Sequence, residues 1–430
     1  MATRTWTGNA LAVAQVTKWV IDGTWASGDK FTMEINSKSV TVEATSATIS
    51  TVTGEIADEL NLSTINEFAG IEWSSTSTQV VATHNTTGIP FTAQARAYEN
   101  DGTTPGVNHT VDGANTFQAG TTTTAATGPN FADNADNWSG TTLPVDNDTI
   151  VFENSSVNCM FGLDNSAVTP AEIHFKSSFT GQVGLPAYDT AGDYQYRDRY
   201  LQYGNSGDGV NIKVFVGHGE GNGSPRINLD VGSSQATVTV VNTAEPAAGE
   251  QSFNFKGTHS SNVITVNKGR VGIAPWDGEA STVATLKIGY SGNQAYDSTV
   301  FAGDAVTLGA VDMSGGRMIS QSAITTLTMT SGETQHLDGA MTTAVVLGGT
   351  LSYQSDQTLT NLTIGSSGTF SAREDLRART ITNIYMYAGA SFFDPFGTVT
   401  ASNGYDLIQS SIPEVTLDTA KNKTWTPSSI

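Results

Sequence analysis

The sequence predicts a mainly β protein, in which a right-handed parallel β-helix follows a small α+β N-terminal domain. Three observations lead there. First, residues 282–395 repeat one phrase of alternating apolar residues closed by a small-residue turn. Examples are Thr285-Leu-Lys-Ile-Gly289, Leu327-Thr-Met-Thr-Ser-Gly332 and Leu362-Thr-Ile-Gly-Ser-Ser-Gly368. One turn glycine per phrase, at Gly315, Gly332, Gly349, Gly368 and Gly389, leaves gaps of 17, 17, 19 and 21 residues. A period this short reads as a solenoid, whose stacked rungs bury a core that no rung buries alone. Second, the phrases are rich in Thr, Val, Ile and Leu and punctuated by Gly, Ser and Asn, which suits strands joined by tight corners. Third, the chain is low in charge (14%) and carries 44 glycines in 430 residues, an all-β profile. A β-sandwich pair is the competing architecture.

Residues 1–125 read as a separate module. Phe31-Thr-Met-Glu-Ile35 and Ser39-Val-Thr-Val-Glu43 alternate strictly around a short Asn36-Ser-Lys38 connection. Ile49, Val52, Ile56 and Leu60 fall at helical spacing, with Thr48 or Ser50 placed to cap the start. Strands resume at residues 70–73, 79–83 and 91–97. The order is ββαββ. Residues 99–130, with Asp101-Gly-Thr-Thr-Pro-Gly106 and a Thr-rich run before Pro129, have linker composition, so the domain boundary is placed there. The β-helix is then expected over 126–400. Strands continue unevenly from 157 to 281, interrupted by excursions at 185–203 and 217–223. Bulky Phe392, Phe393 and Phe396 suit sealing of its far end. Residues 401–430, with Pro413 and Pro427, read as an extended arm donated to a neighbour.

Two segments carry resemblances. Gly28-Asp-Lys-Phe31 and Thr87-Gly-Ile-Pro-Phe91 resemble pieces of a module common in bacteriophage virion and tail-associated proteins. Asn134-Ala-Asp-Asn-Trp-Ser-Gly140, leading through Pro144 to Asp148-Thr-Ile-Val-Phe152, resembles the segment that opens autotransporter β-helical domains. That likeness implies that Trp138 caps the first coil and shields the terminal rung.

The bulk numbers narrow the function classes. A net charge of −21 with pI near 4.5 disfavours nucleic acid and anionic membranes as partners. The single cysteine, Cys159, allows no internal disulfide and is expected to be a buried small hydrophobe. No apolar run of about 18 residues is present, and Met1-Ala-Thr-Arg-Thr-Trp6 lacks a signal-peptide core. A β-rich chain of extracellular style without a leader points to particles assembled in a host cytoplasm and released by lysis, namely virions.

The candidate contact residues are Tyr188, Asp193, Tyr194, Tyr196, Arg197, Asp198 and Tyr200, crowded into one segment with Tyr203 just beyond. Tyr rings beside carboxylates and Arg forks suit a glycan-binding face, and equally a subunit interface. Asp193 and Asp198 are the pair that a polysaccharide depolymerase would use. Gly217-His-Gly-Glu-Gly-Asn-Gly223 is a flexible corner and not a dinucleotide fingerprint; His218 and Glu220 lack a third metal ligand. Asp133, Asp136, Asp146 and Asp148 around Trp138 are the residues that could hold Ca²⁺, though Asp at turns ordinarily bonds its own backbone. No other cofactor is implied.

The expectation is a non-enzymatic virion structural protein of a bacteriophage, decorating the capsid or projecting as a tail fibre or spike. Its partners would be itself, as a homotrimer, major capsid or tail proteins, and host surface glycans. The alternatives are the depolymerase and a bacterial surface adhesin or layer protein.

Overall fold

The computed structural model describes residues 2–186, 199–204, 210–247, 249–289, 298–408, 416–419 and 425–427. It is mainly β, with 49% strand and 5% helix. One long sheet takes in Thr3–Thr5 and the strands from Thr149 to Pro427, and its described strand pairs are all parallel. A sandwich of these phrases would need antiparallel pairing, so that architecture is set aside. Up to Met341, strands pair with the strand two further along the chain. Thr149–Phe152 lies against Glu172–Lys176, which lies against Asn211–His218. This is the pattern of stacked coils, compatible with a solenoid.

The register explains the core. In one ladder Ile150, Ile173, Val214, Val238, Ile264 and Leu286 stack in one column, continued by Val311, Leu327, Ala344, Leu362, Ile384 and Tyr405. In the other, Ile227, Phe253, Val271, Val300, Met318, Thr334, Leu351, Phe370 and Phe392 do the same. All of these are buried in one continuous cluster apart from Thr334, a polar step that is itself buried. Alternation along each strand puts every second residue into that cluster. From Val311 the coil length is 16 residues to Leu327, 17 to Ala344 and 18 to Leu362, the period expected from the glycines. The step from Ile173 to Val214 is 41, and within the excursion expected at 185–203 Leu201–Tyr203 is itself a strand of the long sheet, while residues 187–198 lie outside the described residues.

The glycines are corners. Gly316, Gly332 and Gly349 have φ of +72°, +92° and +83°. A Cβ on Gly349 would lie 2.3 Å from the Gly332 carbonyl oxygen, and one on Gly332 would lie 2.6 Å from that of Gly316. Each corner therefore packs backbone on backbone, where only glycine fits. Gly349→Ala is expected to cost at least about 1–3 kcal/mol, from the left-handed conformation alone; a thermal melt matching the parent would contradict this.

The N-terminal unit has its own core around Trp19, Trp25, Phe31, Phe68 and Trp73. Lys30–Ile35 pairs antiparallel with Lys38–Glu43 and Ala93–Tyr98, while Val16–Gly23 pairs with Gln79–His84, which pairs with Ile71–Ser75. The helix Ile49–Asn61 buries Val52, Ile56 and Leu60, and Thr48 holds its N-cap position without a side-chain cap bond. Among the described residues no helix is long and apolar enough to cross a membrane.

Several boundaries differ from expectation. Thr3–Thr5 pairs with Thr149–Val151, so the first residues belong to the long sheet and not to the N-terminal unit. The expected linker contains His109–Val111 and Thr121–Thr124, both paired with Val16–Gly23. Backbone hydrogen bonds hold Thr121–Thr124 although all four residues are exposed, so apolar content gave no signal. Residues expected to run out as an arm continue the stacking instead: Tyr405–Ile408, Thr416–Thr419 and Trp425–Pro427 each pair parallel with an earlier strand.

Candidate functional site

The caps expected for the stack are Trp138 at one end and Phe392, Phe393 and Phe396 at the other. Trp138 is buried, its Nε1 donating to the Ala132 carbonyl (2.8 Å). Trp6 meets it edge-on at 5.2 Å, and both lie against Phe152 at 5.8–5.9 Å. Trp138 is thus one of a pair of indoles packed on Phe152, and the sequence pointed to Trp138 alone. Asn137, fully buried, pins it: Nδ2 donates to the Gly128 and Phe131 carbonyls and Oδ1 accepts from Ala10 N. At the other end, Phe392 is inside the column, but the strand Thr416–Thr419 pairs beyond it, with Leu417 as its register partner. Phe393 points outward under Arg373, 3.9 Å from the ring centroid, and Phe396 is 55% exposed on the turn. Strand alternation separates the two neighbouring rings, so they do not act together as a seal.

Of the candidate contact residues, Tyr188, Asp193, Tyr194, Tyr196, Arg197 and Asp198 lie outside the described residues. Tyr200 is described, buried in a cluster on the flank of the stack. Its hydroxyl donates to Glu279 Oε2 at 2.6 Å, and its ring meets Trp276 edge-on at 5.3 Å. Arg199 lies over Trp276 at 5.2 Å; Lys256 lies 5.4 Å from the Tyr200 ring and 3.1 Å from Asp230 Oδ2. Burial pushes the Tyr200 phenol up, and its bond to Glu279 pushes it further. Burial also raises the Glu279 carboxyl, against the opposing effect of that same hydrogen bond. The phenol therefore stays protonated and donating at neutral pH.

Beside this cluster opens a cleft of about 290 Å³, lined by Arg226, Glu250, Gln251, Asn254, Pro275, Trp276 and Phe301. Successive coils supply it. Asn228 and Asn254 are in register, and Asn254 Nδ2 donates to Asn228 Oδ1 at 2.8 Å. Asn254 Oδ1 and Gln251 Oε1 are buried oxygens without a partner among the described residues. Pro275 and Trp276 are thrown outward at a bend where Ala274, fully buried, takes φ of +38°. A strained non-glycine residue at the lip of a cleft is a common mark of a functional position. The cleft offers an indole face with the Arg226 guanidinium beside it, a surface suited to a ligand with a flat apolar face edged by polar groups.

The remaining sequence candidates have structural explanations. Asp148 is buried, accepts from Ala2 N (2.7 Å) and pairs with Arg4 (3.1 Å); the bonds from Ala2 and Arg4 hold its carboxyl down, overcoming burial. Asp146 accepts from Thr169 N at 2.8 Å, while Asp133 and Asp136 are exposed. The Ca²⁺ reading thus finds two of its four carboxylates engaged in holding loops. Cys159 is fully buried, its thiol pushed up by burial. Burial also pushes the His218 imidazole down, and Glu220 is exposed nearby in sequence. Missed by sequence reasoning were Trp276, Gln251, Asn254 and Glu279. The one local signal was a lone Trp in a Pro275-Trp-Asp-Gly278 turn.

Compared with protein-family models, with curated proteins and with solved structures, the chain finds no match.

Proposed function

We propose that this chain is a non-enzymatic structural protein of a bacteriophage virion, assembled in the host cytoplasm. In this reading it is a right-handed parallel β-helix with a small α+β anchoring domain inserted after its first strand, and it decorates or projects from the particle. Right-handedness is the default for parallel crossovers, because right-twisted strands pack back onto their sheet only in that sense. The observation that carries the reading is the parallel register from Thr3 to Pro427 over one apolar column. Such a stack is a stiff body suited to display, and its stability is a sum over neighbouring coils. The partners are further copies in a homotrimer and major capsid or tail proteins.

The Trp276 cleft is proposed as the contact for host surface glycans. Indole faces stack on pyranose C–H faces, and the Arg226 guanidinium at the cleft wall suits the sugar hydroxyls. Trp276→Ala is expected to weaken binding to host lipopolysaccharide or capsule about tenfold or more, as loss of an aromatic anchor does. Glycan-array or calorimetric titration of both proteins measures this. For the virion assignment the test is mass spectrometry of purified particles with electron microscopy. The chain should be present in fixed copy number on the particle surface; its absence from particles would sink the assignment. Release of reducing ends from host polysaccharide by the purified protein would instead favour a depolymerase using Asp193 and Asp198.

A further inference from the structure

We propose that Asp29, Glu99 and His109 form a binding site for a divalent transition-metal ion of the Zn²⁺ class in the N-terminal unit. The three come from separate strand ends. Asp29 closes the turn at Gly28 that leads into Lys30–Ile35, Glu99 directly follows Ala93–Tyr98, and His109 opens His109–Val111. His109 Nδ1 is 3.4 Å from Asp29 Oδ2 and 4.0 Å from Glu99 Oε1, and one ligand atom from each residue lies within 4.8 Å of the others. A tetrahedral ion with bonds of about 2.0–2.2 Å sets its ligand atoms roughly 3.3–3.6 Å apart. The His–Asp pair already has that spacing. Glu99, 35% exposed, has the freedom to close the remaining gap, and its open side leaves a position for water.

The hydrogen bonds around the site say what belongs at its centre. His109 Nε2 lies 3.0 Å from the Tyr98 carbonyl, which can only accept, so we assign the ring proton to Nε2. In the neutral ring Nδ1 then presents a lone pair to two carboxylate oxygens, themselves acceptors. The amides of Ala26 and Val107 donate to Asp29 Oδ2 and Glu99 Oε1, both at 2.7 Å, and orient them. His109 is 1% and Asp29 7% exposed at the side chain, and the Trp25 ring lies against the imidazole at 4.6 Å. Three acceptors converge here, two of them buried, and a positive centre between them satisfies all three. An imidazole held by its other N–H on a backbone carbonyl is the usual support of a metal ligand. A nitrogen in the set favours the zinc class over Ca²⁺ or Mg²⁺, which take oxygen shells. The ion would tie the segment between Glu99 and His109 to the sheet beneath it. The rival is a proton on Nδ1, making a buried ion pair.

The test uses the full-length protein, stripped with chelator and titrated with Zn²⁺ by calorimetry, with melting followed in parallel. Expected are one Zn²⁺ per chain and a raised Tm, binding at least tenfold weaker in Glu99→Gln, and loss of binding in His109→Gln. If His109→Gln fails to fold, Glu99→Gln, at a partly exposed position, decides alone. No saturable uptake by the parent protein would exclude the ion. Equal uptake by Glu99→Gln would place the ion elsewhere, and Ca²⁺ binding in place of Zn²⁺ would overturn the class. Each of these three results ends the proposal.

Discussion

Trp138→Ala is expected to lower the stability of the long stack by about 3–5 kcal/mol, the range for deleting a large buried aromatic. The side chain is 1% exposed and its indole N–H is satisfied at 2.8 Å by Ala132. Removing it leaves that carbonyl without its donor and opens a void beside Phe152, the first ring of the apolar column. The site has little means of collapse, because Asn137 holds the adjoining backbone through three hydrogen bonds. Trp6→Ala should cost a similar amount: its Nε1 donates to Val157 O at 3.0 Å, and it directly follows the strand Thr3–Thr5 that pairs with Thr149–Val151. The two rings touch, so the double variant should lose less than the two single losses added together. Chemical denaturation and limited proteolysis of the four proteins measure this. Unfolding should begin at the uncovered coil, since a repeat array frays from an end that has lost its cap. A melting temperature unchanged in Trp138→Ala would mean that the ring is not a lid.

The contrast between Trp138 and Trp276 shows what was legible. Trp138 sits in a local phrase of fewer than 20 residues, so its role was visible in sequence. Trp276 gains its neighbours from other coils: Asn254 and Arg226 precede it by 22 and 50 residues. Stacking brings such positions together, and a search for local clusters finds the Tyr188–Tyr203 segment instead. The glycine period was readable where coils keep 16–18 residues, between Val311 and Leu362. It was lost before Val214, where the step from Ile173 is 41 residues. Short strands without apolar alternation, Thr3–Thr5 and Thr121–Thr124, were invisible because backbone pairing alone defines them. Phe393 and Phe396 misled for the opposite reason. Bulk suggested a seal, but the two-residue period sends Phe392 inward and Phe393 out.

Acidification below about pH 6 is expected to destabilise the stack through His336, by up to about 3 kcal/mol near pH 4. The side chain is buried in the second ladder, stacked on Tyr353 at 5.2 Å. Its Nε2 meets the Gly339 carbonyl at 2.8 Å, while Nδ1 is buried without a partner among the described residues. Burial pushes the imidazole down to about 4, against the opposing effects of the Gly339 bond and Asp338. The native state thus holds the ring neutral, whereas the unfolded chain takes up a proton near 6.5. The stabilising contribution is complete above 6.5 and lost progressively as pH falls toward 4. Glu172 and Asp375, whose carboxyls are held low by their hydrogen-bond partners against the effect of burial, lose their contribution only below the usual carboxylate range. Between about 4.5 and 6.5 the loss of stability on acidification comes from histidine, while the raised carboxyls of Glu279 and Asp112 act in the opposite sense, so the difference between parent and His336 variant isolates the ring. His336→Phe should flatten that loss. Phe370 and Phe392 already stack at 4.9 Å further along the same ladder, and the Gly339 carbonyl keeps a second donor in Ser355 Oγ (2.9 Å). His218, whose ring is also pushed down, by burial and by neighbouring His174 and Lys176, provides the control as His218→Gln. Melting temperatures at pH 7.5 and 5 for the three proteins separate the contributions. If His336→Phe loses as much stability between those values as the parent, the buried ring is not the acid-sensitive element of this core.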